Sequence, residues 1–312
     1  MRVIITGGTG LIGRDLARAM GAQGHDVVIL TRNPRKTGNL PPGVRAAGWD
    51  GKTAAGWGGL LDGAGGDGDT GIVHLAGESI AEGRWTDEKK RRIRDSRVES
   101  SRAVVEAIRQ AAVKPRVLLQ GSAVGYYGPR GDEVVTEDDP PGRGFLSEVC
   151  VEWEESSREA EALGVRRALL RTGIVLSPEG GALPKLLLPY RLLAGAPLGS
   201  GRQWFPWIHA EDEVAAIRFL LKRDDAQGPF NLSAPNPVTN RQLGDALARA
   251  VGRPNPLQAL GLKVPGAVFR AALGEMADSI LHGQRAVPKK LLDLGFRFRF
   301  SDLQPALSDL IP

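Results

Sequence analysis

Short apolar runs and amphipathic stretches alternate along this chain. The apolar runs predict buried strands, and apolar residues spaced three and four apart predict helices that pack on a sheet. Predicted strands lie at residues 3–5, 26–32, 44–49, 71–77, 115–120, 168–176 and 229–232, and alternating Phe and Arg predict another at 296–300. Helical patterns lie at 11–20, 87–108, 145–163, 183–193, 211–221 and 243–251. This alternation predicts an α/β fold with a doubly wound parallel sheet of the Rossmann type.

A Gly-x-x-Gly-x-x-Gly sequence joins the first strand to the first helix. Gly7 and Gly10 permit a tight turn that approaches a phosphate closely, and Gly13 permits close packing of helix on strand. The free amides and the positive dipole end of the helix then face a pyrophosphate. We therefore predict a dinucleotide site whose contacts include Gly7, Thr9, Gly10, Leu11, Ile12 and Gly13.

The end of the second strand indicates which dinucleotide is bound. In NAD-selective folds an acidic residue at this point bonds the ribose hydroxyls. This chain instead has Thr31 and Arg32, with Arg35 close behind. Because a guanidinium attracts the additional phosphate of NADP whereas a carboxylate repels it, the sequence predicts NADP, with Thr31, Arg32 and Arg35 among the contacts.

The run at 71–77 ends in small residues. Ligands of doubly wound sheets lie at the carboxyl ends of strands, so Leu75, Ala76 and Gly77 are predicted to border the cofactor. His74, on the same apolar run, is expected to be a core residue. Arg97 falls where the next helix passes beneath the cofactor, and its role is open between cofactor contact and structural support.

Composition narrows the class of partner. The chain has 312 residues, 42% hydrophobic and 25% charged, with a formal net charge of +5. Basic and acidic residues are interleaved apart from the basic run at 89–97, which favours a small anionic molecule over nucleic acid. The single cysteine suits a reducing compartment, the four histidines form no ligand cluster, and no apolar run is long enough for a membrane span. We expect a cytoplasmic protein with no metal, nucleic-acid or membrane partner and an oligomeric state left open.

Further motifs carry a resemblance to a known family. They are Gly-Ser-Ala-Val-Gly-Tyr-Tyr-Gly at 121–128, Phe-Leu-x-Glu-Val-Cys at 145–150, Trp-Ile-His-x-x-Asp at 207–212, Gly-Glu-Met-Ala at 274–277 and Gly-Gln-Arg-x-x-Pro-Lys at 283–289. With the glycine turn, they resemble atypical short-chain dehydrogenase/reductases of the epimerase family, which are nucleoside-diphosphate-sugar-epimerase-like. The resemblance implies an NADP-binding Rossmann domain at 1–228 and a small α+β C-terminal substrate domain at 229–312. It also implies that residues 177–206 contribute to the substrate domain.

The resemblance also implies residues near the nicotinamide. The strand at 115–120 ends at Gly121 and Ser122, where such reductases carry a catalytic hydroxyl, although alignment on Tyr127-Gly128 puts Ala123 there. Gly173 and Ile174 match the segment that lies against the nicotinamide. Arg202, Trp204 and His209 are candidates for an anionic substrate pocket.

The usual proton-transfer pair of these reductases is missing. It consists of a tyrosine and a lysine four residues later, one helical turn apart, and the chain's three tyrosines are followed at that spacing by Arg130, Gly131 and Ala194. Candidate catalytic residues are therefore Ser122, Tyr126, Tyr127 and, if burial raises its pKa, Glu148. We predict an NADP-dependent oxidoreductase of unassigned substrate; the alternatives are a non-catalytic NADP(H)-sensing protein and a nucleotide-sugar epimerase.

Overall fold

The computed structural model describes residues 1–62, 69–253 and 256–311. A seven-stranded sheet has the order β12-β7-β5-β4-β1-β2-β3, with every neighbouring pair parallel. The strands are β1 (Arg2–Thr6), β2 (Asp26–Thr31), β3 (Val44–Gly48), β4 (Thr70–His74), β5 (Val117–Ala123), β6 (Val134–Val135), β7 (Arg166–Thr172), β8 (Ile174–Ser177), β9 (Gly180–Gly181), β10 (Trp204–Phe205), β11 (Trp207–His209), β12 (Gly228–Leu232), β13 (Val238–Thr239) and β14 (Arg285–Ala286).

Helices cover both faces of this sheet, because alternate residues of each buried strand point to opposite sides. Val3 and Ile5 pack with α1 and α6, whereas Ile4 packs with α2. The helices are α1 (Leu11–Gly21), α2 (Asp87–Gln110), α3 (Phe145–Glu155), α4 (Glu159–Ala162), α5 (Leu183–Arg191), α6 (Ala210–Lys222), α7 (Asn240–Ala250), α8 (Pro256–Ala259), α9 (Gly266–Leu273), α10 (Met276–Leu281), α11 (Lys289–Asp293) and α12 (Leu303–Leu310). The doubly wound α/β prediction is confirmed.

A separate apolar cluster lies beside the sheet. It joins α5, α7 and α12 around the buried Trp207 of β11. The predicted domain boundary between residues 228 and 229 falls at the start of β12, the edge strand of the main sheet, and this boundary stays a prediction. Within the described residues, no helix is both long and apolar enough to cross a bilayer.

Three elements differ from the sequence prediction. The helix predicted at 145–163 is divided into α3 and α4. The strand at 168–176 is divided at Gly173, whose amide bonds Leu232 while the Ile174 amide bonds Pro206, so the chain leaves the main sheet there. The strand predicted at Phe296–Phe300 is wrong. Its alternating burial exists, but the amides of residues 299 and 300 donate to the Asp212 carboxylate instead of to a neighbouring strand.

Candidate functional site

The glycine turn lies at the carboxyl end of β1, between β2 and β4, where the strand order reverses. Gly7 has φ +68°, and a Cβ there would lie 2.8 Å from both the carbonyl carbon and oxygen of Leu75. A Cβ on Gly13 would lie 2.4 Å from the Gly7 oxygen. These positions therefore require glycine. It lets α1 and the loop that follows β4, residues 75–77 (the β4 loop), pack against the turn.

The N-terminus of α1 is built for an anion. Its N-cap is Gly10, which bonds back to the Gly7 carbonyl, and within the described chain no side chain caps this helix and no acidic residue occupies its first turn. Thr9 and Gly10 are exposed, and Leu11 and Ile12 are half-buried. The first-turn amides and the positive end of the helix dipole therefore lie at an exposed part of the turn.

Basic side chains surround the end of β2. Thr31 is half-buried, and Arg32 and Arg35 are exposed on the turn that follows. The Thr31 hydroxyl accepts a hydrogen bond from the Asn33 amide, which shapes this turn. The structure thus places the two arginines at the strand adjacent to the glycine turn.

A buried hydrogen-bond network holds the β4 loop in position. The Thr6 hydroxyl accepts from the amides of Leu75 and Ala76 at 3.1 and 3.2 Å, and lies 2.6 Å from Nδ1 of His74. Burial lowers the pKa of His74 to about 3, so the ring is neutral. Because the Thr6 oxygen already accepts two amide hydrogen bonds, its hydroxyl donates to Nδ1. The ring proton is then on Nε2, which donates to the hydroxyl oxygens of Ser100 and Ser101. His74 is therefore a structural residue, as expected.

Arg97 braces the same loop from below. Its Nη1 donates to the carbonyls of Glu78 and Ile93, and its guanidinium lies 5.0 Å from the Trp153 ring centroid. A Cβ on Gly77 would lie 3.2 Å from Cζ of Arg97. The half-buried arginine therefore supports the loop after β4 and leaves little room for a side chain at position 77.

Ser122 and Tyr127, two of the catalytic candidates, belong to a buried polar network. The Ser122 hydroxyl donates to Glu154 at 2.6 Å, and Arg171 donates to both oxygens of that carboxylate, at 2.9 and 3.0 Å. Arg171 also donates to the Tyr127 hydroxyl, which donates to Asn231 at 2.7 Å. Burial raises the pKa of Tyr127. These groups are satisfied within the core, which makes them supports of the fold.

Tyr126 lies on the outer side of this network. Its half-buried ring packs on the Arg171 guanidinium, whose Cζ lies 3.5 Å from the ring centroid. Burial raises the pKa of its phenol, which opposes a role as a base near neutral pH. Tyr126, Glu154 and Arg167 line a pocket of about 250 Å³ that lies away from the glycine turn, between α3, α4 and β7.

The remaining predicted residues near the nicotinamide are placed by tight backbone contacts. A Cβ on Gly121 would lie 2.9 Å from both the His74 carbonyl and the Trp153 ring, and one on Gly173 would lie 2.5 Å from the Pro206 oxygen. Gly173 and the half-buried Ile174 form the junction of β7 and β8. These residues are parts of the scaffold at the carboxyl end of the sheet.

Two apolar side chains stand where the resemblance to short-chain reductases implies hydroxyl groups: Ala123 in the alignment on Tyr127-Gly128, and Phe145 in register with the tyrosine of the missing pair. Ala123, at the end of β5, and Phe145, the first residue of α3, are both half-buried. Phe145 packs edge-on against Trp85, with a centroid distance of 5.2 Å, and the Lys90 ammonium lies 5.7 Å from its ring. Lys90 pairs with Glu275 of the C-terminal region at 2.7 Å. Glu148 is exposed on α3, so the burial that its proposed proton transfer required is absent.

The structure brings two of the three substrate-pocket candidates, Arg202 and Trp204, to one carboxylate, and places His209 elsewhere. His209 is buried, accepts the Glu211 amide as the N-cap of α6, and stacks on Phe300 at 4.0 Å, so it supports the core. The exposed Arg202 guanidinium lies 3.7 Å from one oxygen of Asp132, and Trp204 donates to the other oxygen at 3.0 Å. The sequence analysis did not identify Glu154 and Arg171. The sequence signal that could have indicated this buried pair is a charged residue on the apolar face of a helix, for Glu154, and in an apolar strand, for Arg171.

A second buried carboxyl group was also missed. Glu213, near the start of α6, accepts a hydrogen bond from Thr172 at 2.9 Å, and its other oxygen has no partner among the described residues. Burial raises the pKa of Glu213 from its ordinary value of 4.5 to about 8. The group is therefore a neutral acid at pH 7.

This shift predicts that stability falls as pH rises. Above about pH 4.5 the unfolded chain releases the Glu213 proton while the folded chain keeps it up to about pH 8, so rising pH favours unfolding across that window. Between pH 6.5 and 8 the free energy of unfolding should fall by about 2 kcal/mol from this residue. In Glu213→Gln, an isostere of the neutral acid, denaturant titrations should show that decline removed. Equal declines in both proteins would contradict the assignment.

The parallel sheet and the glycine turn at its reversal point define a Rossmann-type α/β protein. A family model described as the NAD dependent epimerase/dehydratase family matches residues 3–233, and one described as a domain of unknown function, DUF1731, matches 264–310. The epimerase family protein YfhF of Bacillus subtilis is 41% identical over 316 residues, covering 100% of this chain and 98% of that protein. The chain belongs to the NAD dependent epimerase/dehydratase family, which confirms the resemblance in its motifs.

Two solved structures match the whole length of this chain. Human epimerase family protein SDR39U1 (isoform 2), crystallised with NADPH, matches with a TM-score of 0.85 at 32% identity, covering 100% of this chain and 99% of that one. UDP-glucose 4-epimerase from Thermus thermophilus, in complex with NAD, has a TM-score of 0.75 at 20% identity and covers 100% and 98%. The second likeness concerns the fold alone.

Proposed function

We propose that this protein binds NADP(H) and is an NADP-dependent oxidoreductase acting on a small, anionic molecule. The observation that carries the proposal is the uncapped N-terminus of α1, which presents amides and no carboxylate beside Arg32 and Arg35. The first-turn amides would hold the pyrophosphate, and the arginines would hold the 2′-phosphate. The NADPH bound by the human relative supports the same choice of cofactor.

The other residues would position the cofactor's reactive end. Leu75, Ala76 and Gly77 would border it directly after β4, with Gly173 and Ile174 at the junction of β7 and β8, while Arg97 of α2 would hold the loop after β4 in place. When bound, the nicotinamide supplies or accepts a hydride, which leaves a proton for the protein to move. Neither Ala123 nor Phe145 has a proton to transfer. Lys90 of α2, whose ammonium lies 5.7 Å from the Phe145 ring centroid, is the proton donor that we propose.

Replacement of Arg32 tests the choice of cofactor. Arg32→Asp should weaken NADPH binding by about tenfold or more, because a charge-assisted contact to phosphate is replaced by repulsion, and should leave NADH binding within about twofold. Titrations followed by NADPH and NADH fluorescence measure both constants. Arg91→Asp, at an exposed position on α2, is the matched control and should change neither. Equal losses for both cofactors would show that Arg32 does not contact the 2′-phosphate.

A non-catalytic NADP(H)-sensing protein is the second candidate. It is favoured by one observation: Ser122 and Tyr127 are committed to the core, and Ala123 and Phe145 are inert. A screen of NADPH oxidation against aldehydes, ketones and nucleotide sugars distinguishes the oxidoreductase from the sensor. Turnover of any of these supports the oxidoreductase; tight NADPH binding without turnover of any supports the sensor. A nucleotide-sugar epimerase would additionally require a proton acceptor in place of Phe145.

A further inference from the structure

The chain's positive charge is concentrated in two segments. Residues 180–210 and 246–274 contain no aspartate or glutamate, although the chain has 36 acidic residues among 312. The same segments contain seven basic residues, so the rest of the chain has a formal charge of −2 against +5 for the whole. The basic residues are Lys185, Arg191, Arg202, Arg249, Arg253, Lys263 and Arg270.

The fold joins these two segments. The Val264 amide donates to Pro197, and the Gly199 amide donates to Val264, both at 2.9 Å. Arg253 donates from its side chain to the carbonyl of Arg191. The turn after α5 therefore lies beside residues 253 and 264. Arg202 and Arg270 are ion-paired with Asp132 and Asp278, so the positive charge of the joined segments comes from the other five basic residues.

This basic surface also exposes large apolar side chains. Leu192 is 67% exposed and Leu260 is 74% exposed. Single exposed leucines are common, but a cluster of them on adjoining segments is typical of a surface that binds something. We call the following set the leucine–arginine surface: Leu188, Leu192, Leu193, Leu260, Leu262 and Val268, together with Arg191 and Lys263.

The backbone holds part of this surface in a strained conformation. Helix α5 ends in a Schellman motif, in which the Ala194 amide bonds Pro189 and the Leu193 amide bonds Tyr190. The residue in the left-handed position of that motif is usually glycine, but here it is Leu193, with φ +59° and 44% exposure. Leu193 is the sole non-glycine residue with positive φ in the described chain. Glycine would make the same cap without this strain, so the cap does not explain the leucine, and such strain is typical of functional positions.

We propose that the leucine–arginine surface docks this protein on an anionic lipid bilayer. Leucines at the tip of a helix turn insert among the lipids, and flanking lysine and arginine side chains contact the phosphates. An anionic bilayer matches a surface formed by two segments whose own sequences contain basic residues and no acidic residue. The proposal reverses the sequence-based expectation that the protein has no membrane partner, and it concerns surface docking without a membrane span.

Co-sedimentation of the full chain with sucrose-loaded vesicles tests the proposal. Wild-type protein should bind vesicles of phosphatidylcholine with about 30% phosphatidylglycerol, should not bind phosphatidylcholine alone, and should be released by about 0.5 M salt. The double variant Leu192→Ser with Leu193→Gly should lower the partition coefficient by about tenfold or more. Because glycine relieves the strain at position 193, this variant should fold at least as well as the wild type.

Two matched variants complete the experiment. Leu292→Ser removes a leucine of similar exposure, 46%, on α11 outside this surface, and should bind vesicles like the wild type. The double variant Arg191→Gln with Lys263→Gln should lower the partition coefficient for anionic vesicles by about tenfold or more. The proposal is overturned by absent binding to anionic vesicles, or by binding that the surface variants leave unchanged. It is also overturned if ultracentrifugation without lipid shows a dimer that the leucine variants dissociate, since the surface would then join two copies.

Discussion

Glu154→Ala should be among the most destabilising single substitutions in this protein. Glu154 and Arg171 are both buried, and the carboxylate takes three hydrogen bonds, two from the guanidinium and one from Ser122. Removal of the carboxylate leaves a buried guanidinium without its counter-ion. We expect a loss of roughly 3–5 kcal/mol in the free energy of unfolding, measured by denaturant titration.

The same helix supplies a control for this prediction. Glu152 also pairs with an arginine, Arg94, but both side chains are more than 40% exposed. Glu152→Ala should therefore cost about 1 kcal/mol or less. The double variant Glu154→Leu with Arg171→Met should recover much of the loss, since an apolar pair needs no counter-ion. A loss below about 1 kcal/mol for Glu154→Ala would show that the network tolerates an unpaired Arg171.

Gly7→Ala should weaken NADPH binding strongly. The new Cβ would be strained at φ +68° and would lie 2.8 Å from the Leu75 carbonyl, so the turn and the β4 loop must separate. Because both border the proposed phosphate site, we expect the affinity for NADPH to fall by about tenfold or more, as fluorescence titration would measure.

Gly24 separates backbone strain from this contact. It has φ +78°, but a Cβ there would meet no atom within 4 Å. Gly24→Ala should thus carry a similar backbone cost, of about 1 kcal/mol, and leave NADPH affinity unchanged. If Gly7→Ala binds NADPH as well as Gly24→Ala does, the phosphate site lies elsewhere.

The catalytic candidates show where sequence reasoning stopped. Ser122 and Tyr127 have the right chemistry and lie at the end of the right strand, but their partners Glu154, Arg171 and Asn231 are 32 to 104 residues away. Whether a hydroxyl faces the cleft or the core depends on which face of the strand carries it and what packs there. A motif cannot contain that information.

The sequence by itself determined the parallel sheet, the glycine turn and the basic end of β2, because each depends on residues that are neighbours in the chain. Apolar runs bury strands, glycine permits the turn at Gly7, and β2 ends in Thr31 and Arg32 where an NAD-selective fold has an acidic residue. Tertiary structure decided the rest. It paired Glu154 with Arg171, exposed Glu148, and joined two acid-free segments into one surface, because burial and partnership arise only when distant segments pack together.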